Sequence, residues 1–159
     1  MLKNQYRLYE WICVAALAVF VVLMLVFSSG GTGKSVRELT APVTKLSEAT
    51  PLVERTAPEA AAAFGFDLTL TEGVLYYENE DIMNVSEILI VKVNDKSDAP
   101  EIKQAVERRV KEQAELYKNY APDQYSLLQK SIVEVKGNTV FYCTGTNAGD
   151  VYDAFKKAL

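Results

Sequence analysis

The stretch IVEVKGNTVFYC, Ile132 to Cys143, carries the clearest fold signal in the chain. Two runs rich in β-branched and aromatic residues flank the pair Gly137-Asn138. Both residues of that pair tolerate the positive φ that a two-residue turn demands. The pattern therefore predicts a β-hairpin, with strands over about residues 131–136 and 139–144.

Two earlier stretches also predict strands, because they are rich in the same residue types. They are VLYY at Val74–Tyr77 and EILIVKV at Glu87–Val93. In the second, Ile88 and Ile90 occupy one face. Leu89, Val91 and Val93 occupy the other. A strand that is apolar on both faces is buried on both, so we expect Glu87–Val93 to be central in the sheet.

Helix signals fill the intervals between these strands. Thr40 and Thr56 each precede Ala-Pro, which favours an N-cap with proline in the first turn. The second of these two short helices is expected to end near Gly65, as a C-cap. A long helix is predicted over residues 98–117, and its apolar stripe includes Ile102, Ala105, Val106, Val110, Ala114 and Tyr117.

Three further signals bound the remaining helices. Asp98 with Glu101 resembles a capping box at the start of the long helix. Pro122 begins a shorter helix. The last helix is predicted over residues 148–159, with Asn147 as its cap. Together these elements predict an α+β domain over residues 40–159, in which a small antiparallel four-stranded sheet in ββα-ββα order packs against helices on one face.

An apolar run precedes this domain. WICVAALAVFVVLMLVF spans Trp11–Phe27 without a charged residue, and with Ser28 and Ser29 it approaches the thickness of a bilayer. We predict a transmembrane signal anchor over residues 11–29, after a cytoplasmic head of residues 1–10 that carries Lys3 and Arg7. The C-terminal domain would then lie outside the cytoplasmic membrane. A cleaved signal peptide is the alternative.

The letters GGTGKS after the apolar run resemble a nucleotide-binding loop. That motif needs a glycine at position 28, where this chain has Ser28, and it needs a preceding buried strand rather than a membrane helix. We therefore interpret residues 30–39 as a Gly/Ser-rich linker and expect no nucleotide to bind.

Composition excludes several kinds of chemistry. The chain has no histidine, which removes catalytic triads and the common zinc sites. Its net charge of −4 disfavours nucleic acid. Cys143 has no partner except Cys13 in the apolar run, so we expect no disulfide in the domain, and we interpret Cys143 as a small buried hydrophobe. No cofactor or metal site is predicted, and nothing in the sequence decides the oligomeric state.

Two groups of residues are candidates for function. The acidic cluster Glu78, Glu80 and Asp81 could bind calcium or provide paired carboxylates for glycoside hydrolysis, although a solvated loop is the simpler interpretation. Five tyrosines could form an aromatic surface for a protein partner or a sugar chain. These are Tyr76, Tyr77, Tyr117, Tyr120 and Tyr125. The alternative is that Tyr117 and Tyr125 close the core.

Four segments of the chain are similar to a bacterial family of small domains of unknown function. They are YYENEDIMNVSEILIVKV, YKNYAPDQYSLL, VEVKGNTVFYC and the terminal VYDAFKKAL, and the similarity covers about Leu68–Leu159. The family occurs in Gram-positive anaerobes behind a lipoprotein signal or one membrane span, so the resemblance implies an extracytoplasmic tethered domain without known catalytic residues. This chain lacks a lipobox cysteine, which favours the helical anchor.

Two functional hypotheses follow from the sequence. The first is a membrane-anchored, non-catalytic extracytoplasmic module that binds or regulates a cell-envelope partner. The second is a small envelope hydrolase or ligand-binding domain that uses the acidic cluster after Tyr77. An exposed tyrosine surface beside a sheet without a pocket would favour the first. A concave site that unites Glu78 or Asp81 with another buried carboxylate would favour the second.

Overall fold

The structure, a computed structural model, describes Trp11, residues 14–21 and residues 34–159. The chain divides into two units, residues 1–31 and 32–159. In the first unit Trp11 and residues 14–21 are helical. The rest of the predicted anchor and the cytoplasmic head lie outside the described residues. Within the described residues, no helix has the length and apolar character needed to cross a membrane.

The second unit is an α+β domain, as predicted. Its strands are β1 Val53–Arg55, β2 Thr71–Glu78, β3 Glu87–Val93, β4 Ile132–Lys136 and β5 Thr139–Thr144. Its α-helices are α1 Thr40–Ser47, α2 Ala57–Phe64, α3 Ala99–Tyr117, α4 Pro122–Gln129 and α5 Ala148–Ala158. Three short 3₁₀ helices, at Val36–Glu38, Leu68–Leu70 and Lys96–Asp98, complete the described elements.

The sheet has five strands in the order β1-β2-β3-β5-β4, and every neighbouring pair is antiparallel. The central position of β3 and the β4-β5 hairpin are confirmed. The prediction of four strands was wrong, because β1 pairs with β2 through Val53 opposite Glu78 and Arg55 opposite Tyr76. Three residues reading VER give no local strand signal, so the ladder with β2 defines this edge strand.

Helices cover both faces of the sheet, which corrects the prediction of a single covered face. On one face α2 and α3 pack over Tyr76, Leu89, Val91 and Tyr142. On the other face α1 and α5 pack over Leu75, Ile88, Ile90 and Phe141. Every residue of β3 is buried, as expected for a strand that is apolar on both faces.

Some of the predicted capping signals form and others do not. Thr56 and Glu59 make a full capping box, and Gly65 ends the same helix with φ 70°. Thr40 lies inside its helix, after Leu39, and neither Asp98 nor Asn147 makes a side-chain cap. Proline in the first turn of α3 stands in place of the predicted capping box at Asp98.

The hairpin turn needs only one positive φ, at Gly137 with φ 62°. Asn138 instead holds the turn to β3, because its side chain donates to the Val93 carbonyl at 3.3 Å. At the other end of the domain, Val36 and Leu39 are buried in the core although they fall within the predicted linker 30–39. The folded unit therefore begins before residue 40.

Candidate polar cavity at the end of the sheet

Two glutamates face each other at one end of the sheet. Glu78 is the last residue of β2 and Glu87 the first of β3, and they are direct cross-strand partners. The loop of residues 79–86 connects the two strands at this point. Like charges opposite each other in a sheet are destabilising, so the pair requires compensation.

Arginines from neighbouring elements supply that compensation. Arg55 of β1 contacts Glu78, with Nε 2.8 Å from Oε1. Arg109 of α3 forms an ion pair with Glu87, whose side chain is 4% exposed. The Arg109 guanidinium also lies over the Phe64 ring, 4.4 Å from its centroid. A buried carboxylate is tolerated only when it is paired and hydrogen-bonded, and Glu87 meets both conditions.

Two buried tyrosine hydroxyls complete the surroundings of Glu87. Tyr142 donates to Glu87 Oε1 at 2.8 Å. The Tyr76 hydroxyl lies 2.9 Å from Glu87 Oε2 and 2.6 Å from Glu78 Oε2, so it bridges the two carboxyl groups. Phe64 packs edge-on against both tyrosine rings. Together with Arg109 of α3, six side chains from β2, β3, β5, α2 and α3 thus form one network.

The electrostatics follow from this burial. Desolvation, reinforced by the Glu87 carboxylate, raises the pKa of Tyr76 and of Tyr142 well above the ordinary value for tyrosine. Burial alone would lower the pKa of Arg109, but the Glu87 carboxylate together with the Tyr76 and Tyr142 hydroxyls outweighs burial and raises that pKa. The hydroxyls therefore stay protonated and Arg109 stays charged throughout the neutral pH range.

A cavity of about 220 Å³ opens beside this network. Its walls come from β1, β2, β3, the loop 79–86 and α3. Charged residues supply much of the lining, namely Arg55, Glu78, Glu80, Asp81, Glu87 and Arg109. Gln113 and Tyr117 line it from α3. Within the described part of the chain, Gln113 Oε1 is buried and has no hydrogen-bond partner.

The loop 79–86 is ordered by its own side chains. Asn79, Asp81 and Asn84 each accept a hydrogen bond from the backbone N–H two residues further on, at 2.8 to 2.9 Å. Contacts with the helices fix the loop from outside. Tyr117 Oη donates to the Ile82 carbonyl at 2.6 Å, and Val85 N–H donates to Gln124 Oε1 at 3.0 Å. The mouth of the cavity is thus preformed.

The structure brings together part of the predicted site. Glu78, Glu80 and Asp81 all line the cavity, with Tyr117 at its wall and Tyr76 beneath it. Glu80 and Asp81 are exposed, whereas Glu78 is half-buried.

The five predicted tyrosines do not share one surface. Tyr77 points to the opposite face of the sheet and donates to Glu54 at 2.8 Å. Tyr76 and Tyr117 are buried, and Tyr125 packs half-buried beside Leu128. Tyr120 is 57% exposed, with its ring 5.2 Å from that of Tyr117.

Sequence reasoning missed the residues at the centre of the site. Glu87, Arg109, Tyr142, Arg55 and Gln113 were not singled out. A signal was available for two of them. Arg109 and Gln113 fall on the buried face of α3, in the helical spacing that joins Val106 to Tyr117. A polar residue within an apolar stripe indicates polar surroundings. Here Arg109 contacts Glu87, and Gln113 lines the cavity.

The family of the chain follows from a family model described as "Domain of unknown function (DUF4358)", which matches residues 47–145. The chain belongs to this family. The matched part of the DUF4358 domain contains all five strands and every residue that lines the cavity. No curated protein and no solved structure gives a significant match. The predicted resemblance to a family of unknown function is thereby confirmed, whereas tethering and bacterial source stay predictions.

The bridging hydroxyl of Tyr76 gives a direct test of the network. Tyr76→Phe leaves the ring in place but removes the hydroxyl that lies between Glu78 and Glu87 and donates its one hydrogen to either. We expect a loss of about 1–3 kcal/mol in the free energy of unfolding, because the one donor that lies between the buried Glu87 carboxylate and Glu78 is removed. Chemical denaturation of the full chain, followed by near-ultraviolet circular dichroism, measures this loss.

Tyr152→Phe is the matched control, because the Tyr152 ring packs on Phe141 and Phe155. The same atom is removed there, from a half-buried tyrosine outside the network. We expect a change within about 0.5 kcal/mol. An equal effect of the two substitutions would contradict the network as described.

Proposed function

We propose that the chain is a membrane-anchored extracytoplasmic domain that binds a small ligand in the polar cavity without catalysing a reaction on it. The observation that carries the proposal is a preformed cavity of about 220 Å³ lined by Glu78, by the buried carboxylate of Glu87 and by Gln113. A concave site with a few fixed polar groups is the usual form of a small-molecule site.

The same geometry argues against glycoside hydrolysis. With contacts of 2.6 and 2.9 Å to Tyr76 Oη, one oxygen of Glu78 and one of Glu87 lie at most about 5.5 Å apart. That separation is close to the roughly 5–5.5 Å of retaining glycosidases. However, the Tyr76 hydroxyl fills the gap that the sugar would need, and Glu87 is buried and held by Arg109. Both carboxyl groups are held by contacts within the domain.

Cys143 offers no nucleophile to the cavity either. It is fully buried within β5, on the opposite face of the sheet from Glu87. Burial, with a smaller contribution from the Glu87 carboxylate, raises the pKa of its thiol. A protonated, inaccessible thiol cannot attack a substrate. These features favour binding over chemistry.

An alternative is the partner-binding module that uses the tyrosines. Among those five residues, only Tyr120 presents most of its side chain. Ile82 and Met83 in the loop 79–86 are also exposed, at 87% and 47%. Ile82 lines the cavity, and the five tyrosines do not form one exposed surface, which is why we favour the cavity as the binding site.

Membrane anchoring is supported by the apolar sequence of residues 11–29. Its described part is helical, and Val14, Leu17 and Phe20 are each about 60% exposed or more. Apolar side chains left uncovered by the protein suit a lipid environment. We propose a single-pass anchor with the DUF4358 domain outside the cytoplasmic membrane.

The ligand proposal is tested by native mass spectrometry of the full chain in detergent micelles. The protein is incubated with a low-molecular-mass extract of cell envelope and growth medium. We expect a small-molecule adduct on the wild type and none on Gln113→Leu. Glu112→Gln is the control, because Glu112 is exposed on the same helix and outside the cavity lining. That variant should keep the adduct.

Thermal unfolding of the same variants separates function from folding. Gln113→Leu removes a buried acceptor without a partner, so the ligand-free variant should be as stable as the wild type or more stable. Loss of the adduct together with equal or greater stability supports the proposal. Retention of the adduct by Gln113→Leu, or no adduct on any variant, would overturn it.

Orientation is tested by cysteine labelling in a Cys13→Ser background, in which Cys143 is too buried to react. We expect a membrane-impermeant maleimide to label Ile82→Cys in intact cells. Lys3→Cys, in the predicted cytoplasmic head, should react only after the membrane is permeabilised. Labelling of Lys3→Cys but not Ile82→Cys in intact cells would contradict the proposed orientation.

A further inference from the structure

The two edge strands of the sheet differ in how well they are protected from further pairing. The edge strand β1 has three residues, and Pro51 and Pro58 lie near its two ends. The other edge strand, β4, has five residues and contains no proline, and none of its residues is fully buried. Short edge strands and nearby prolines discourage the addition of another strand, so β4 is the edge that can accept one.

The outward hydrogen-bonding groups of β4 belong to Val133 and Val135. A two-residue turn joins β4 to β5, and Lys136 pairs with Thr139 beside that turn. The closing pair of such a hairpin exchanges hydrogen bonds, and bonded pairs then alternate along the two strands. The backbone N–H and C=O groups of Val133 and Val135 therefore point away from β5, and within the described residues they have no hydrogen-bond partner.

A second copy of β4 could bond antiparallel to these groups in three registers. Val133 would lie opposite Val133, Val133 opposite Val135, or Val135 opposite Val135, because residues that exchange hydrogen bonds face one another. In each register the residues between the valines face one another as pairs without hydrogen bonds, whose side chains lie closest together. The identity of those pairs therefore distinguishes the three registers.

Charge complementarity favours one of these registers. With Val133 opposite Val135, Glu134 lies opposite Glu134 of the second copy, and like charges in that position are destabilising. With Val133 opposite Val133, Glu134 lies opposite the apolar Ile132. With Val135 opposite Val135, Glu134 lies opposite Lys136, and the two-fold symmetry produces this favourable pair twice. Within the described residues, neither Glu134 nor Lys136 is in an ion pair of its own copy.

We propose that the chain forms a symmetric homodimer through β4, in which the two strands pair antiparallel about Val135. The Val135 N–H of each copy donates to the Val135 carbonyl of the other copy. Glu134 of each copy pairs with Lys136 of the other, and the two sheets join into one continuous sheet. The cavity lies among β1, β2, β3 and α3, whereas β4 is the edge strand farthest from β1, so the dimer does not depend on the function proposed above.

Disulfide crosslinking of two matched variants tests the interface and its register. Both variants are made in the full chain in a Cys13→Ser background, in which Cys143 is too buried to react. Residues opposite each other in a hydrogen-bonded pair have Cα atoms about 5.5 Å apart, a distance that a disulfide can bridge. We therefore expect Val135→Cys to form a covalent dimer in detergent micelles under mild oxidation. Val133→Cys is the control, because in this register its two copies lie roughly 13 Å apart along the strands and should not crosslink.

The two cysteine variants distinguish a specific interface from mere proximity of the copies. Equal crosslinking of both variants would show that the copies meet through the apolar N-terminal segment alone, and it would overturn the β4 interface. A crosslink from Val133→Cys but not from Val135→Cys would overturn the register. The absence of a crosslink from Val135→Cys, in a sample whose cooperative thermal unfolding shows that it is folded, would overturn the dimer.

An exchange of charges tests the ion pairs between the copies without any cysteine. Glu134→Lys alone places two positive charges opposite each other, and Lys136→Glu alone places two negative charges opposite each other. Each contact occurs twice in the dimer, so either variant should raise the dissociation constant of the dimer at least about tenfold in sedimentation of the full chain in micelles.

The double variant with Glu134→Lys and Lys136→Glu is the matched control, because it keeps the net charge and restores the opposite-charge pairs. Its dissociation constant should return to within about threefold of the wild-type value, since the two substitutions act on one shared contact. A double variant as weak as the single variants, or single variants that dimerise as well as the wild type, would overturn the pairing of Glu134 with Lys136.

Discussion

The ion pair between Glu87 and Arg109 is the interaction on which the rest of the domain depends. A carboxylate at the first position of the central strand is buried against two tyrosines and a helix, and without a cation its desolvation would oppose folding by several kcal/mol. Arg109 supplies the cation, and the Phe64 ring covers it. The pair depends on three features of the fold. These are the register of β2 on β3, the rotation of α3 about its axis and the position of α2.

Local signals explain why much of the fold was predictable. The β4-β5 hairpin, the central strand β3 and the N-cap at Thr56 each arise from neighbours in the sequence, so the residues themselves carry the information. β1 and the second covered face of the sheet depend on distant partners. The edge strand Val53–Arg55 is defined by β2, and the burial of Val36 and Leu39 by the core they join.

For the same reason, only part of the site could be predicted from the sequence. Glu78, Glu80 and Asp81 stand out because acidic residues follow a strand. Glu87 is hidden in the sequence because one charge at the end of EILIVKV suggests a strand terminus rather than a buried ion. Its partners come from residues up to 55 positions away. Arg109 and Gln113 are polar residues within the apolar stripe of α3, which indicates that they have buried polar surroundings. The pattern does not identify the residues that they contact.

The cavity at one end of the sheet is the proposed binding site. The buried ion pairs neutralise the floor of the cavity, the loop 79–86 is held by its own asparagine and aspartate side chains, and the charges left over belong to Glu80 and Asp81. In the proposed function this preformed cavity is the binding site. In this proposal the apolar N-terminal segment keeps the domain at the membrane.

A double-mutant cycle on Glu87→Gln and Arg109→Met tests whether the domain depends on the ion pair between Glu87 and Arg109. Arg109→Met alone should destabilise the domain by about 3–5 kcal/mol, because it leaves the Glu87 charge buried without its cation. We expect that adding Glu87→Gln restores part of that loss, so the double variant is more stable than Arg109→Met and the coupling exceeds about 2 kcal/mol. Effects that add to within about 0.5 kcal/mol would show that the two residues act independently and would contradict the account.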